Sequence, residues 1–243
     1  MALDPRGSVF GQVRGQAGAA ADARIDEGLR AYMLRVYNYM GSGLLLSGIV
    51  AYAVANTPAL MQLIFGTPLS WVVMLAPLGL VFFLSARIEK MSAGAAQATF
   101  WIFAALMGAS LASIFVIYTQ TSIVRVFMIT SVTFGAMSLY GYTTKKDLSG
   151  WGSFLMMGLI GIIVASIVNI FLGSAMLQWV ISVIGVLVFV GLTAYDTQKI
   201  KEMYSHADGE ATMSKKAIMG ALRLYLDFIN LFLMLLTLFG NRN

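Results

Sequence analysis

Two aspartates stand among residues that otherwise read as membrane-spanning helix. Asp196 lies in Thr193-Ala194-Tyr195-Asp196-Thr197-Gln198-Lys199-Ile200, and Asp227 in Leu222-Arg223-Leu224-Tyr225-Leu226-Asp227-Phe228-Ile229-Asn230-Leu231-Phe232. A charge within a bilayer costs at least ~2.5 kcal/mol on insertion scales, so such a group faces a partner, a cavity or an ion path. Two nearby carboxylates in low dielectric cannot both ionise easily. Hard cations such as Ca²⁺ favour carboxylate and carbonyl oxygens. A shared site would therefore hold a proton, an arginine or a cation in competition. Two carboxylates alone form a weak Ca²⁺ site, completed only by water and backbone carbonyls.

Polar neighbours extend the set. Arg223 precedes Asp227 by four residues and can pair with it on one helix face. Asn230 follows by three and continues a polar stripe. Arg87, in Leu84-Ser85-Ala86-Arg87-Ile88-Glu89-Lys90, has two readings: it snorkels to the interface, or it latches to one of the aspartates. Helix rise places Asp227 deeper in its span than Asp196, so the two meet only if the last span is short or set low.

Seven segments are long and apolar enough to cross a bilayer and position these residues: 36–55, 70–88, 98–118, 123–143, 152–173, 177–199 and 217–239. Hydrophobic residues make up 59% of the 243-residue chain and charged residues 11%, against about 45–50% and about 25% in soluble domains. This is an integral membrane composition, with the lipid bilayer as its first partner. Residues 1–30 are rich in Gly, Ala and Arg and are expected to be a flexible cytoplasmic tail; residues 31–243 are expected to form one transmembrane domain. The absence of cysteine excludes disulfides and thiolate chemistry, and the single histidine, His206, lies in a polar loop. No cofactor is expected.

The connections alternate. Residues 56–69, 119–122 and 174–176 carry no charge, whereas those near 87–94, 144–150 and 200–216 carry Lys and Arg. With the N-terminus in the cytoplasm, only Arg125 and Arg242 of the 16 basic residues fall outside, as the positive-inside rule requires. The net charge of +5 is thus mostly a topology signal, and nucleic-acid binding has no place in it. Trp71, Trp101, Trp151 and Trp179 fall near span ends, as aromatic belts do.

The two aspartate motifs, together with the Lys145-Lys146-Asp147-Leu148 loop, resemble the signature of the Bax inhibitor-1, or transmembrane Bax-inhibitor-motif, family of the bacterial type. The likeness covers nearly the whole chain after the tail. It implies an all-α, seven-helix bundle with the C-terminal helix central, and a pH-sensitive calcium leak channel sensed by the pair Asp196 and Asp227. It also implies Arg87 as the latch: acid would protonate the pair, release the arginine and raise the leak. Some relatives carry a glutamate about three turns before that arginine. Here the region reads Met74-Leu75-Ala76-Pro77-Leu78, with no acid.

Other functions fit some of the residues. Membrane aspartate pairs are similar to those of intramembrane aspartyl proteases, but Asp227 follows Leu224-Tyr225-Leu226 and not a Gly-x-Gly sequence, so no enzyme is expected. A non-transporting regulator that binds a membrane protease or stress protein would have to use the tail or residues 201–216. A proton-coupled transporter would carry inverted, Gly/Pro-broken spans, and no obvious pair of these is seen. The composition suits a bacterial inner membrane. The charge bias predicts a non-cytoplasmic C-terminus: a reporter fused after Asn243 that is active only in the cytoplasm should be silent, and strong activity would overturn the seven-span topology.

Overall fold

A computed structural model describes residues 5–243, with side chains described from Asp26 onward. The expected tail, residues 1–30, thus lies mostly outside the fully described residues. The helices are α1 (Pro5–Ala55), α2 (Pro58–Phe65), α3 (Leu69–Arg87), α4 (Ala93–Leu111), α5 (Ile114–Ile117), α6 (Gln120–Thr143), α7 (Ser149–Leu172), α8 (Ala175–Glu202) and α9 (Glu210–Phe239). Seven stretches can cross a membrane: Asp26–Ala55 within α1, Leu69–Lys90, Ala93–Ile117, α6, α7, α8 and α9. All seven expected spans are present. The protein is an all-α membrane bundle.

Helix ends follow local chemistry. Ser92, Thr119 and Ser174 cap α4, α6 and α8 by accepting a backbone N–H three residues on. The α7–α8 turn is tight because Gly173 takes φ 60°, and the Asn169 side chain accepts from the Ser174 N–H. Outward faces stay apolar: Phe171, Ile170 and Met176 are highly exposed, as lipid-facing side chains must be. Trp71, Trp151 and Trp179 are exposed at their span ends.

The last helix is the most buried of the seven spans. Within its apolar window 56% of α9 is buried, against 17–33% in the other six spans. It packs on α8, α1, α6, α4 and α3, while α7 leans on α8. Buried hydroxyls tie this arrangement together. Ser47 on α1 donates to the Ala104 carbonyl on α4 at 2.6 Å, so Tyr225 on α9 must be the donor in its 2.6 Å bond to Ser47. Phe100 and Phe103 stack edge-on against the Tyr225 ring. A second relay joins α1, α6 and α8: Tyr37 to Ser138 at 2.6 Å, Ser138 to Thr197 at 3.0 Å, and Thr197 to the Thr193 carbonyl at 2.7 Å. Within lipid each such bond removes an otherwise unsatisfied polar group.

Close helix approach also needs small residues. A Cβ on Gly108 would lie 2.8 Å from the Ser47 Cα, and one on Gly141 would strike the Ala194 carbonyl oxygen and lie 2.9 Å from its Cα. Gly161, by contrast, faces open space. Gly141→Ala should therefore lower the thermal midpoint of the purified protein, by the equivalent of about 1–3 kcal/mol of overpacking, while Gly161→Ala should leave it unchanged. Equal midpoints would mean that α6 and α8 are not held in this contact.

Candidate functional site

The two aspartates meet. Asp196 on α8 and Asp227 on α9 line one cavity of about 570 Å³. The meeting depends on the depth of α9. Lys216, in its second turn, donates to the Met203 carbonyl at the end of α8 and pairs with Asp208 at 2.6 Å. Asp227 lies 17 residues into α9 and Asp196 six residues before the end of α8, so the first turns of α9 extend past the end of α8 for the two acids to line one cavity, and Arg35 of α1 ties those turns by reaching Glu210 at 2.6 Å and Ser214 at 3.0 Å.

The surroundings of the two acids differ. The Asp196 side chain keeps 17% exposure, and its Oδ1 lies 3.8 Å from Arg223 Nη1, an ion pair too long for a hydrogen bond. Asp227 is 5% exposed and its Oδ2 finds no hydrogen-bond donor. Asn230 lines the same cavity; its Nδ2 donates to the Leu226 carbonyl at 2.8 Å, which leaves its side-chain oxygen uncommitted by that bond. The other walls are mostly apolar, including Leu78 of α3, Met156, Ile162 and Ile163 of α7, and Phe189 of α8.

Arg223 does not pair where the helix spacing suggested. It reaches across to Asp196 instead of up its own helix to Asp227. Its side chain is 48% exposed, so the guanidinium sits at the wetter end of the site, where Asp196 also is. Arg87 ends α3 exposed and makes no ion pair or hydrogen bond with either aspartate. In this conformation the cation beside the pair comes from α9.

Sequence reasoning missed two contributors from the first motif. Gln198 is 7% exposed; its amide donates to the Lys146 carbonyl and accepts from the Leu148 N–H, both at 2.8 Å. It thereby fixes the Lys145–Leu148 loop against α8, just beyond Asp196. Thr197 carries the hydroxyl relay already described. Both sit in the quoted motif, but a buried glutamine and a buried threonine give no signal in sequence beyond their place beside the aspartate. In the same loop, the Ser149 hydroxyl and N–H hold the Asp147 carboxyl below the usual carboxylate range. It remains charged at the start of α7, where the helix dipole favours a negative charge.

Chemically, the cavity offers two carboxylates, one amide oxygen and one guanidinium. Among the described residues no cluster of three acidic, histidine or cysteine side chains exists that would hold a metal ion. Ca²⁺ takes six to eight oxygens, more than these side chains supply.

A seven-helix membrane protein with an aspartate pair on its last two helices is the class that fold and site define. The family profile described as inhibitor of apoptosis-promoting Bax1 matches residues 29–243, and the chain belongs to this Bax inhibitor-1 family. It is 54% identical over 218 residues to the inner membrane protein YbhL of Escherichia coli K12, which covers 88% of this chain and 93% of that protein. It is 48% identical over 230 residues to a Caulobacter vibrioides protein, covering 90% and 92%. A membrane protein of Streptococcus pyogenes serotype M3 is 39% identical over 221 residues, covering 90% and 96%.

Proposed function

We propose that this protein is a pH-sensitive cation leak path of an inner membrane, with Ca²⁺ among the ions carried and protons as the control. The observation that supports this most is the meeting of Asp196 and Asp227 in one largely apolar cavity, with Arg223 beside Asp196. The arginine is always charged, so only the carboxylate can release their contact. At alkaline pH the ionised Asp196 holds Arg223, and the guanidinium occupies the place that a passing cation would take. As pH falls, the pair takes up a proton, the attraction to Arg223 weakens, and the path opens. A differential stabilisation of about 1–3 kcal/mol, usual for site-to-site coupling, moves the open population by roughly 5- to 150-fold. The latch of this account is Arg223, and Arg87 takes no part.

Proteoliposomes that enclose a Ca²⁺-sensitive dye test this between pH 8 and pH 6. The leak should rise on acidification. Arg223→Ala should leak strongly at pH 8 and respond little to pH, while Arg87→Ala should keep the wild-type response. Asp227→Asn should flatten the pH response more than Asp208→Asn, because Asp208 sits in the α8–α9 loop already paired with Lys216. A leak that falls on acidification, or equal effects of the two asparagine variants, would contradict the reading.

A further inference from the structure

The walls of the aspartate cavity suit something other than a bare metal ion. Arg223 faces Asp196, and no cation among the described residues pairs with Asp227, whose carboxyl is 5% exposed with one oxygen lacking any donor. Apart from Asp196, Arg223, Ser166 and Asn230, the walls are mostly hydrocarbon and sulfur, with the rings of Phe189 and Tyr195 and the thioethers of Met156 and Met234. The volume, about 570 Å³, falls within the range of small-molecule pockets, roughly 300–1,000 Å³. A hydrated divalent ion can use the two carboxylates but gains nothing from the apolar part of the walls. A monovalent ion with an apolar body gains from the walls, the rings and the unpaired carboxyl together.

The cavity also has a side entrance. It is bordered by Leu78 of α3 and by Met156 and Ile163 of α7. These two helices do not pack closely on one another: α3 leans on α4, and α7 on α8. Leu78, Met156 and Ile163 are each about half exposed on the lipid-facing surface. The gap between α3 and α7 thus opens sideways into the bilayer, where amphipathic molecules concentrate and metal ions do not.

From these features we infer that the cavity binds an amphipathic organic monocation, an alkyl or aryl ammonium, entering from the membrane between α3 and α7 with its ammonium at Asp227 and its apolar body along α7. The inference rests on the reading of the aspartate pair as a cation site and names a second class of cation for it. Bound there, the ammonium would stand in the ion path.

The test is equilibrium binding of a dansylated alkylamine at pH 8 to the full chain in phosphatidylcholine nanodiscs, with empty nanodiscs subtracted. Wild-type protein should bind it saturably and should not bind the uncharged dansylated alcohol of equal chain length. Asp227→Asn should weaken binding by about 30-fold or more, the loss that follows removal of one partner of a buried charge pair. Asp208→Asn should leave it unchanged. Ile163→Trp, which fills the side entrance and keeps both aspartates, should also abolish binding, with helix content and gel-filtration profile as checks on folding. Equal binding of the alcohol, or full affinity in Asp227→Asn, would overturn the inference and leave an apolar groove for acyl chains. The Ca²⁺ leak of the same variants separates the two readings. An aspartate-dependent leak without amine binding sinks this inference alone, whereas amine binding with a leak indifferent to Asp227 sinks the channel reading alone.

Discussion

Two carboxyl groups that line one largely apolar cavity constrain everything around them. The nearest guanidinium reaches only one of them, at 3.8 Å. In such a place a carboxyl is costly, and replacing it by an apolar side chain of similar volume would relieve that cost. The rest of the bundle holds the two helices at the one relative height that lets the pair form.

That height is set at both ends of α9. On one side, Arg35, Lys216 and the Met203 carbonyl hold its first turns, which extend past the end of α8. On the other, Asn241 and Asn243 hydrogen-bond to the chain around Ile117 and Thr119, and the Arg242 guanidinium lies over the Tyr118 ring. Between them, Tyr225 is hydrogen-bonded to Ser47 two residues before Asp227, and its ring is clamped by Phe100 and Phe103. The most buried helix therefore cannot slide easily, and movement at the site has to come from side chains or from the outer helices. Of these, α7 packs chiefly on α8 and α3 chiefly on α4, and both border the cavity.

The spans were legible because lipid leaves little choice: about 20 apolar residues are needed for each crossing, and hydropathy reads them directly. The aspartates were legible for the same reason, as charges where charge is expensive. What could not be read was geometry between helices. Four-residue spacing pointed Arg223 to Asp227, yet the turn of α8 beside it presents Asp196 nearer the exposed end of the site, and the guanidinium goes there. Rise per residue alone made Asp227 too deep; the first turns of α9, held by Lys216 and Arg35, extend past the end of α8 and offset the mismatch. The resemblance offered Arg87 as the latch; in this conformation it is exposed at the end of α3, and the cation beside Asp196 is Arg223. Gln198 was invisible because its role is to satisfy the backbone of a loop 50 residues earlier in the chain.

The central claim is that Asp196 and Asp227 act as one titrating unit. Infrared difference spectroscopy on the protein in lipid membranes, pH 6 minus pH 8, reads this without reference to transport. A protonated-carboxyl band should appear on acidification in the wild type and should be lost or displaced in both Asp196→Asn and Asp227→Asn, because removing either acid changes the proton held by the other. A band that survives unchanged in either variant would show that the two carboxyls titrate apart, and the account would fail.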